Sequence, residues 1–157
     1  QLLRVGGKAP SAQAGRELAE KALADVSAWQ AFRRLVQIQG GDVSYVDHTE
    51  KFPLAPIIET VPAPQSGTLK TIHARTIGET SVEMGAGRAV KSDAIDHRVG
   101  IIVHCKVGEQ VKAGDPVFTI HANSQASLAQ ARQRLLSALE FSAAPVEELP
   151  LFYGVID

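Results

Sequence analysis

Apolar and polar positions alternate most sharply between Val99 and Ala122, VGIIVHCKVGEQVKAGDPVFTIHA. Ile101, Val103 and Cys105 fall on one face of an extended chain and Ile102, His104 and Lys106 on the other, the period of two of a half-buried strand. Gly108 and Gly114 give backbone freedom at two turns, Asp115 can close a turn on its own backbone, and Pro116 leads into a second strand through Val117, Phe118 and Ile120. Upstream the period becomes helical. Ala14, Leu18, Ala22 and Val26 recur along one face with Ala19 and Leu23 beside them, while Arg16, Glu17, Glu20 and Lys21 fill the other. This pattern predicts a helix that starts at Pro10 or Ser11 and ends near Asp25. A second helix, capped by Ser27, carries Trp29, Phe32, Leu35 and Val36 in a stripe expected to pack in a core, and stops at Gly40-Gly41. A third follows Asn123 or Ser124, with Leu128, Ala131, Leu135 and Leu139 as its stripe.

Between Asp42 and Pro64 the texture changes to prolines and short β-type runs, Val43 to Val46, Phe52 to Pro56 and Ile57 to Val61. This change marks a domain boundary, with a helical segment over 1–41 and a second domain over 42–157. Pro62-Ala63-Pro64-Gln65-Ser66-Gly67 is a stiff lead into a turn, and Thr68 to Ala74 reads as the next strand. Its end, Thr71-Ile72-His73-Ala74, is echoed by Thr119-Ile120-His121-Ala122, as two equivalent halves of one small β-structure would produce. Pro145 and Pro150 break the chain before an expected last strand, Leu151 to Ile156. The predicted fold is α+β, a helical N-terminal segment followed by a small flattened β-barrel with a C-terminal helix and strand.

Composition narrows the partners. A 157-residue chain that is 45% apolar can bury a core, and a net charge of −1 supplies no basic field for a nucleic acid or an anionic membrane. No apolar run is long enough to span a bilayer. The single cysteine excludes an internal disulfide and fits a reducing, cytoplasmic setting. The only methionine is Met84 and the chain opens on Gln1-Leu2-Leu3-Arg4-Val5, so a segment of a longer protein is expected.

Reactive groups are sparse. The five histidines, at 48, 73, 97, 104 and 121, stand singly without metal-site spacing. Cys105 in an alternating strand reads as a small buried hydrophobe and, alternatively, as a nucleophile beside a histidine. Asp93 and Asp96, three apart, suit turn or cap work or a shared helical face. Gly85-Ala86-Gly87-Arg88 is the one stretch suited to a ligand: glycines let backbone amides approach an anion and an arginine can pair with a phosphate, although the same residues also make a plain tight loop.

The run from Lys106 to Ile120 resembles the second half of lipoyl and biotinyl carrier domains, which are flattened barrels of two equivalent sheets. Such carriers present a modified lysine at a hairpin tip beside a methionine or acidic residue. The candidate here, Lys91, follows the glycine loop and has no such immediate neighbour. A more extensive resemblance covers essentially the whole chain. Gln39-Gly40-Gly41-Asp42, Phe52-Pro53-Leu54, Pro62 to Gly67, Met84-Gly85-Ala86-Gly87-Arg88, Asp93-Ala94-Ile95-Asp96-His97-Arg98-Val99-Gly100-Ile101 and Lys106 to Ala122 follow one another as in the C-terminal part of the pyrimidine-nucleoside (thymidine) phosphorylase family. The resemblance implies a C-terminal α/β unit with a lipoyl-type barrel, 1–41 belonging to a larger upstream α/β domain, and a homodimeric enzyme. It implies phosphorolysis of thymidine, deoxyuridine or uridine, with phosphate as co-substrate and no cofactor or metal. It puts the phosphate- and base-binding residues upstream of this chain, so none of the residues here is catalytic, and sets Gly85, Gly87 and Arg88 in a loop near the cleft mouth. A free-standing carrier or an assembly module are the alternatives.

Overall fold

A computed structural model describes residues 1–88, 90–154 and 156. The chain divides into two compact units, Gln1–Phe52 and Pro53–Asp157.

The first unit is helical: α1 (Leu2–Val5), α2 (Ala12–Ala24), α3 (Ser27–Ile38) and α4 (Ser44–Asp47), then a 3-10 turn over Thr49–Lys51. Ser11 caps α2 as its residue type suggests, its hydroxyl oxygen accepting the Ala14 N–H at 3.1 Å. Ser27 does not cap α3. The cap is Val26, held in the left-handed region at φ +61, and the Asp25 carboxylate accepts the Ser27 N–H at 3.0 Å, which draws Ser27 into the first turn. At the other end Gly40 takes φ +77 and the Gly41 N–H reaches the Val36 carbonyl at 2.9 Å, the predicted glycine stop. The extended run expected at Val43 to Val46 is instead α4. The Asp42 carboxylate accepts the Ser44 N–H at 2.8 Å and starts a turn, and Arg33 grips Asp47 with two nitrogens at 2.9 and 3.0 Å. The α3 stripe forms no core in this unit, since Trp29, Phe32 and Leu35 are 41, 49 and 54% exposed.

Among its described residues the second unit holds six strands in two antiparallel sheets. One joins β1 (Ile57–Pro62), β3 (Gly100–Val103) and β5 (Pro116–Ala122) in the order β1-β5-β3; the other joins β2 (Gly67–Ile72), β4 (Gln110–Val111) and β6 (Leu139–Ser142) in the order β4-β2-β6. Thr60 pairs with Thr119 and Ile101 with Ile120 in the first, Leu69 with Phe141 in the second. The echoed tetrapeptides lie at the ends of β2 and β5, the central strands of the two sheets, and a helix follows each: α5 (Ala74–Ser81) and α6 (Gln125–Ser137). Ser124 caps α6, its hydroxyl oxygen accepting the Ser127 N–H at 3.2 Å, and Leu128, Ala131 and Leu135 are buried as the stripe predicts. Val61, Leu69, Val117, Phe118, Ile120 and Leu135 are fully buried in one core.

Three expectations are corrected here. The flattened barrel is two small open sheets, because among the described residues no strand ladder joins them and β4 is two residues long. Leu139 does not end the α6 stripe but starts β6, paired with Ile72, because the helix stops at Ser137. The last strand expected from Leu151 is not formed among the described residues 151–154 and 156, and Val155 lies outside them. The final strand is β6; the chain after it is broken by Pro145 and Pro150 and crosses Gly108, where an added Cβ would stand 2.8 Å from Glu148 Cγ and 3.0 Å from its Cα. Among the described residues no helix is long and apolar enough to cross a membrane.

Candidate functional site

The loop with the three candidate residues grows out of α5, a helix that the alternation pattern did not reveal. Its available signals were Ile77 and the i,i+4 pair of Arg75 and Glu79, whose side chains meet at 2.7 Å. Thr80, fully buried, donates its hydroxyl to the Thr76 carbonyl at 2.7 Å. The helix then leaves its regular path through a kinked turn over Val82–Ala86, with non-helical backbone at Gly85. Two side chains anchor this turn: Met84 is 4% exposed within the core, and Glu83 is ion-paired with Arg134 of α6. Arg134 also reaches Glu79 at 3.5 Å.

Gly85 and Gly87 give the chain its exit. Gly85 has φ +103, a conformation that L side chains rarely adopt. Gly87 is extended, with φ −143, yet a Cβ there would lie 2.8 Å from Val82 Cγ2. The Gly85 carbonyl accepts the Asp96 N–H at 2.9 Å. Asp96 in turn binds Arg98 through Nε and a terminal nitrogen, each at 2.9 Å, and through the Arg98 backbone N–H at 3.1 Å. That guanidinium holds the Asp96 carboxyl down at about 2, against an ordinary 3.8. Asp93 accepts the Val90 N–H at 2.9 Å. Both aspartates therefore serve turns, and no helical face brings them together.

Arg88 is exposed and makes no hydrogen bond or ion pair among the described residues. Arg98, the other arginine of this region, is already paired with Asp96. The structure thus gathers Gly85, Gly87 and Arg88 into one loop that ends on a cation unpaired among the described residues, beside two glycines, an arrangement able to meet an anion. Lys91 is exposed in a turn between the kinked turn and β3, not at a hairpin tip. Cys105 is buried, its Sγ 3.8 Å from the Val117 carbonyl oxygen, and desolvation pushes its thiol pKa upward, which disfavours the nucleophilic thiolate. The His104 Nε2 lies 2.7 Å from the Thr119 hydroxyl on an exposed sheet face. Among the described residues no three His, Cys, Asp or Glu side chains are grouped to hold a metal. A cavity of about 740 Å3 opens elsewhere, lined by apolar residues such as Ile72, Ile77, Val103 and Leu149.

The sequence model of the pyrimidine nucleoside phosphorylase C-terminal domain matches residues 68–142, a span that includes the whole loop. Over 155 residues, 99% of the chain, it is 38% identical to a pyrimidine-nucleoside phosphorylase of Geobacillus stearothermophilus and covers 36% of that protein. Over 125 residues, 80% of the chain, it is 38% identical to the protein so named in Staphylococcus haemolyticus and 37% identical to that of Bacillus subtilis, covering 29% of each. The chain spans about a third of the length of these curated relatives. Along nearly its whole length the chain is thus similar to part of pyrimidine-nucleoside phosphorylases, and residues 68–142 match the C-terminal domain of that family.

Proposed function

We propose that this chain is the C-terminal portion of a pyrimidine-nucleoside phosphorylase that reversibly phosphorolyses thymidine, deoxyuridine or uridine. A phosphate oxygen attacks the anomeric carbon, the bond from that carbon to the base nitrogen breaks, and its electron pair leaves with the base, giving free pyrimidine and a pentose 1-phosphate. The observation that carries this reading is the 38% identity to an enzyme of that name along 99% of the chain. The groups that hold phosphate and base lie in the remainder of the protein. This portion supplies scaffold and a closure element, the loop of Gly85, Gly87 and Arg88, set toward the mouth of the cleft; the unpaired charge of Arg88 supports that role by adding to the potential an incoming anion meets.

The finer architecture follows the same reading. Residues 1–41 belong to a larger α/β domain and 42–157 form the C-terminal domain, a reading supported by the exposed apolar stripe of α3. The two sheets are halves of a lipoyl-type sandwich, supported by the echo on their central strands. The working enzyme is a cytoplasmic homodimer that uses phosphate as co-substrate and no cofactor. Arg88→Ala in the full-length protein tests the loop: kcat/KM for phosphate falls about tenfold, whereas unchanged kcat and KM would remove the loop from the mechanism. A mass increase of lipoyl or biotin on the Lys91 peptide would replace this reading with that of a carrier.

A further inference from the structure

We infer that Asp96 is a positioning residue that holds the Gly85–Arg88 loop in the arrangement presenting Arg88 outward; the inference rests on the reading of that loop as substrate-proximal. Within four residues the chain passes from Met84, packed in the core, to the exposed Arg88. With Gly85 at φ +103 the chain leaves its helical path, and the Gly85 carbonyl takes its partner from outside, the Asp96 N–H at 2.9 Å. That donor is aimed by the Asp96 side chain. The carboxylate is engaged by the Arg98 N–H at 3.1 Å, closing a local turn, and by the two guanidinium nitrogens at 2.9 Å. Behind the turn stands Val99, buried in the core, whose N–H points to the Asp96 carbonyl at 3.4 Å. A Cβ built on Gly85 would lie 3.9 Å from both Asp96 Cβ and Val99 Cγ2, so the loop rests directly on this bracket.

The bracket also sorts the charges. Asp96 occupies the guanidinium of Arg98 and leaves Arg88 as the arginine of this region with no partner among the described residues. Removing the Asp96 carboxylate therefore frees Arg98 and loosens the Gly85 anchor in one step. Neither change touches the packed side chains of β5 or α6.

The test uses the full-length protein with Asp96→Asn, Arg98→Gln, Arg88→Ala and the Arg88→Ala/Asp96→Asn double variant. The first two keep the Asp96 backbone N–H, and Arg98→Gln serves if Asp96→Asn does not fold. Amide hydrogen exchange over residues 85–88 is expected to quicken about tenfold in both while peptides covering 116–122 keep their protection. With thymidine fixed and inorganic phosphate varied, Asp96→Asn is expected to raise KM for phosphate about tenfold. A fold defect would instead lower kcat by shrinking the active fraction at constant KM. The double variant should be no worse than Arg88→Ala alone, because both changes act through one loop. Unchanged exchange over 85–88, or fully additive kinetic losses, would overturn the role of Asp96. A silent Arg88→Ala with quickened exchange in Asp96→Asn would instead sink the substrate-proximal reading of the loop, so the two failures are told apart.

Discussion

Alanine at Gly85 and at Gly87 should destabilise the protein for two different reasons, and only one of the two losses should be repairable. At Gly85 the backbone carries the cost. With φ +103 the residue lies in a region where an L side chain is strained by about 1–2 kcal/mol, while the added methyl would meet nothing closer than 3.9 Å. For a chain of this length each kcal/mol moves the melting temperature by about 2–4 °C, so Gly85→Ala should melt about 2–8 °C lower. Asparagine, which tolerates positive φ better, should cost less than alanine there. At Gly87 the backbone is ordinary and the side chain is the problem. Its Cβ would stand 2.8 Å from Val82 Cγ2 and 3.4 Å from Val82 Cβ, an overpacking against a stiff β-branched residue worth about 1–3 kcal/mol. Truncating the neighbour should remove the clash. Val82→Ala combined with Gly87→Ala should be more stable than Gly87→Ala by about 1 kcal/mol beyond additivity, while Val82→Ala combined with Gly85→Ala should be additive. Differential scanning calorimetry at neutral pH reads these five variants and Val82→Ala alone. A Gly85→Ala protein as stable as the parent, or a rescue of both alanines by Val82→Ala, would refute the assignment of strain to one glycine and contact to the other.

Three further outcomes follow from the packing and the charges. Leu135→Ala, at a fully buried position of α6, should cost about 2–5 kcal/mol in urea unfolding, whereas Leu35→Ala on the exposed face of α3 in this 157-residue chain should change stability by less than about 0.5 kcal/mol. Because the folded Asp96 carboxyl titrates at about 2 and its ordinary value is 3.8, the unfolded chain takes up that proton first as the pH falls. Its contribution to stability is then fully present above about pH 4 and is lost as the pH falls through 2, so Asp96→Asn should lower stability near neutrality and flatten the acid limb of a stability–pH curve in that window. Cys105, buried and with its thiol pKa raised by desolvation, should react with a disulfide reagent at pH 8 at least about a hundredfold more slowly than after unfolding; equal rates would place it at the surface.

Much of the second unit was legible because its signals are local. The apolar run of Val117, Phe118 and Ile120, the Ser124 cap and the stripe of Leu128, Ala131 and Leu135 each depend on neighbours a few residues away, and each appears where the pattern set it, whereas the alternating strand begun at Ile101 stops at Val103, which is 40% exposed. The failures come from partners distant in sequence or from competing turn chemistry. Leu139 continues a helical stripe on paper but is claimed by Ile72 across the sheet. Val43 to Val46 reads as extended, yet Asp42 starts a turn and Arg33 grips Asp47 from α3. The α5 helix was hidden by Gly78 and by the expectation that Thr68 to Ala74 was one strand, although Arg75 and Glu79 were its signature. At the candidate site the residue types were readable and their reasons were not. Gly85 needs its φ, Gly87 needs the space beside Val82, and Asp96 gains its role only once Gly85 and Arg98 are beside it.

The most direct test is phosphate-dependent base release from thymidine and uridine, comparing the full-length protein that carries this chain with the 157-residue chain alone. The full-length protein is expected to liberate free pyrimidine only when phosphate is present, with one pentose 1-phosphate formed per base, and the 157-residue chain to liberate none. Absence of phosphate-dependent release from the full-length protein, or its presence with the 157-residue chain alone, would contradict the account.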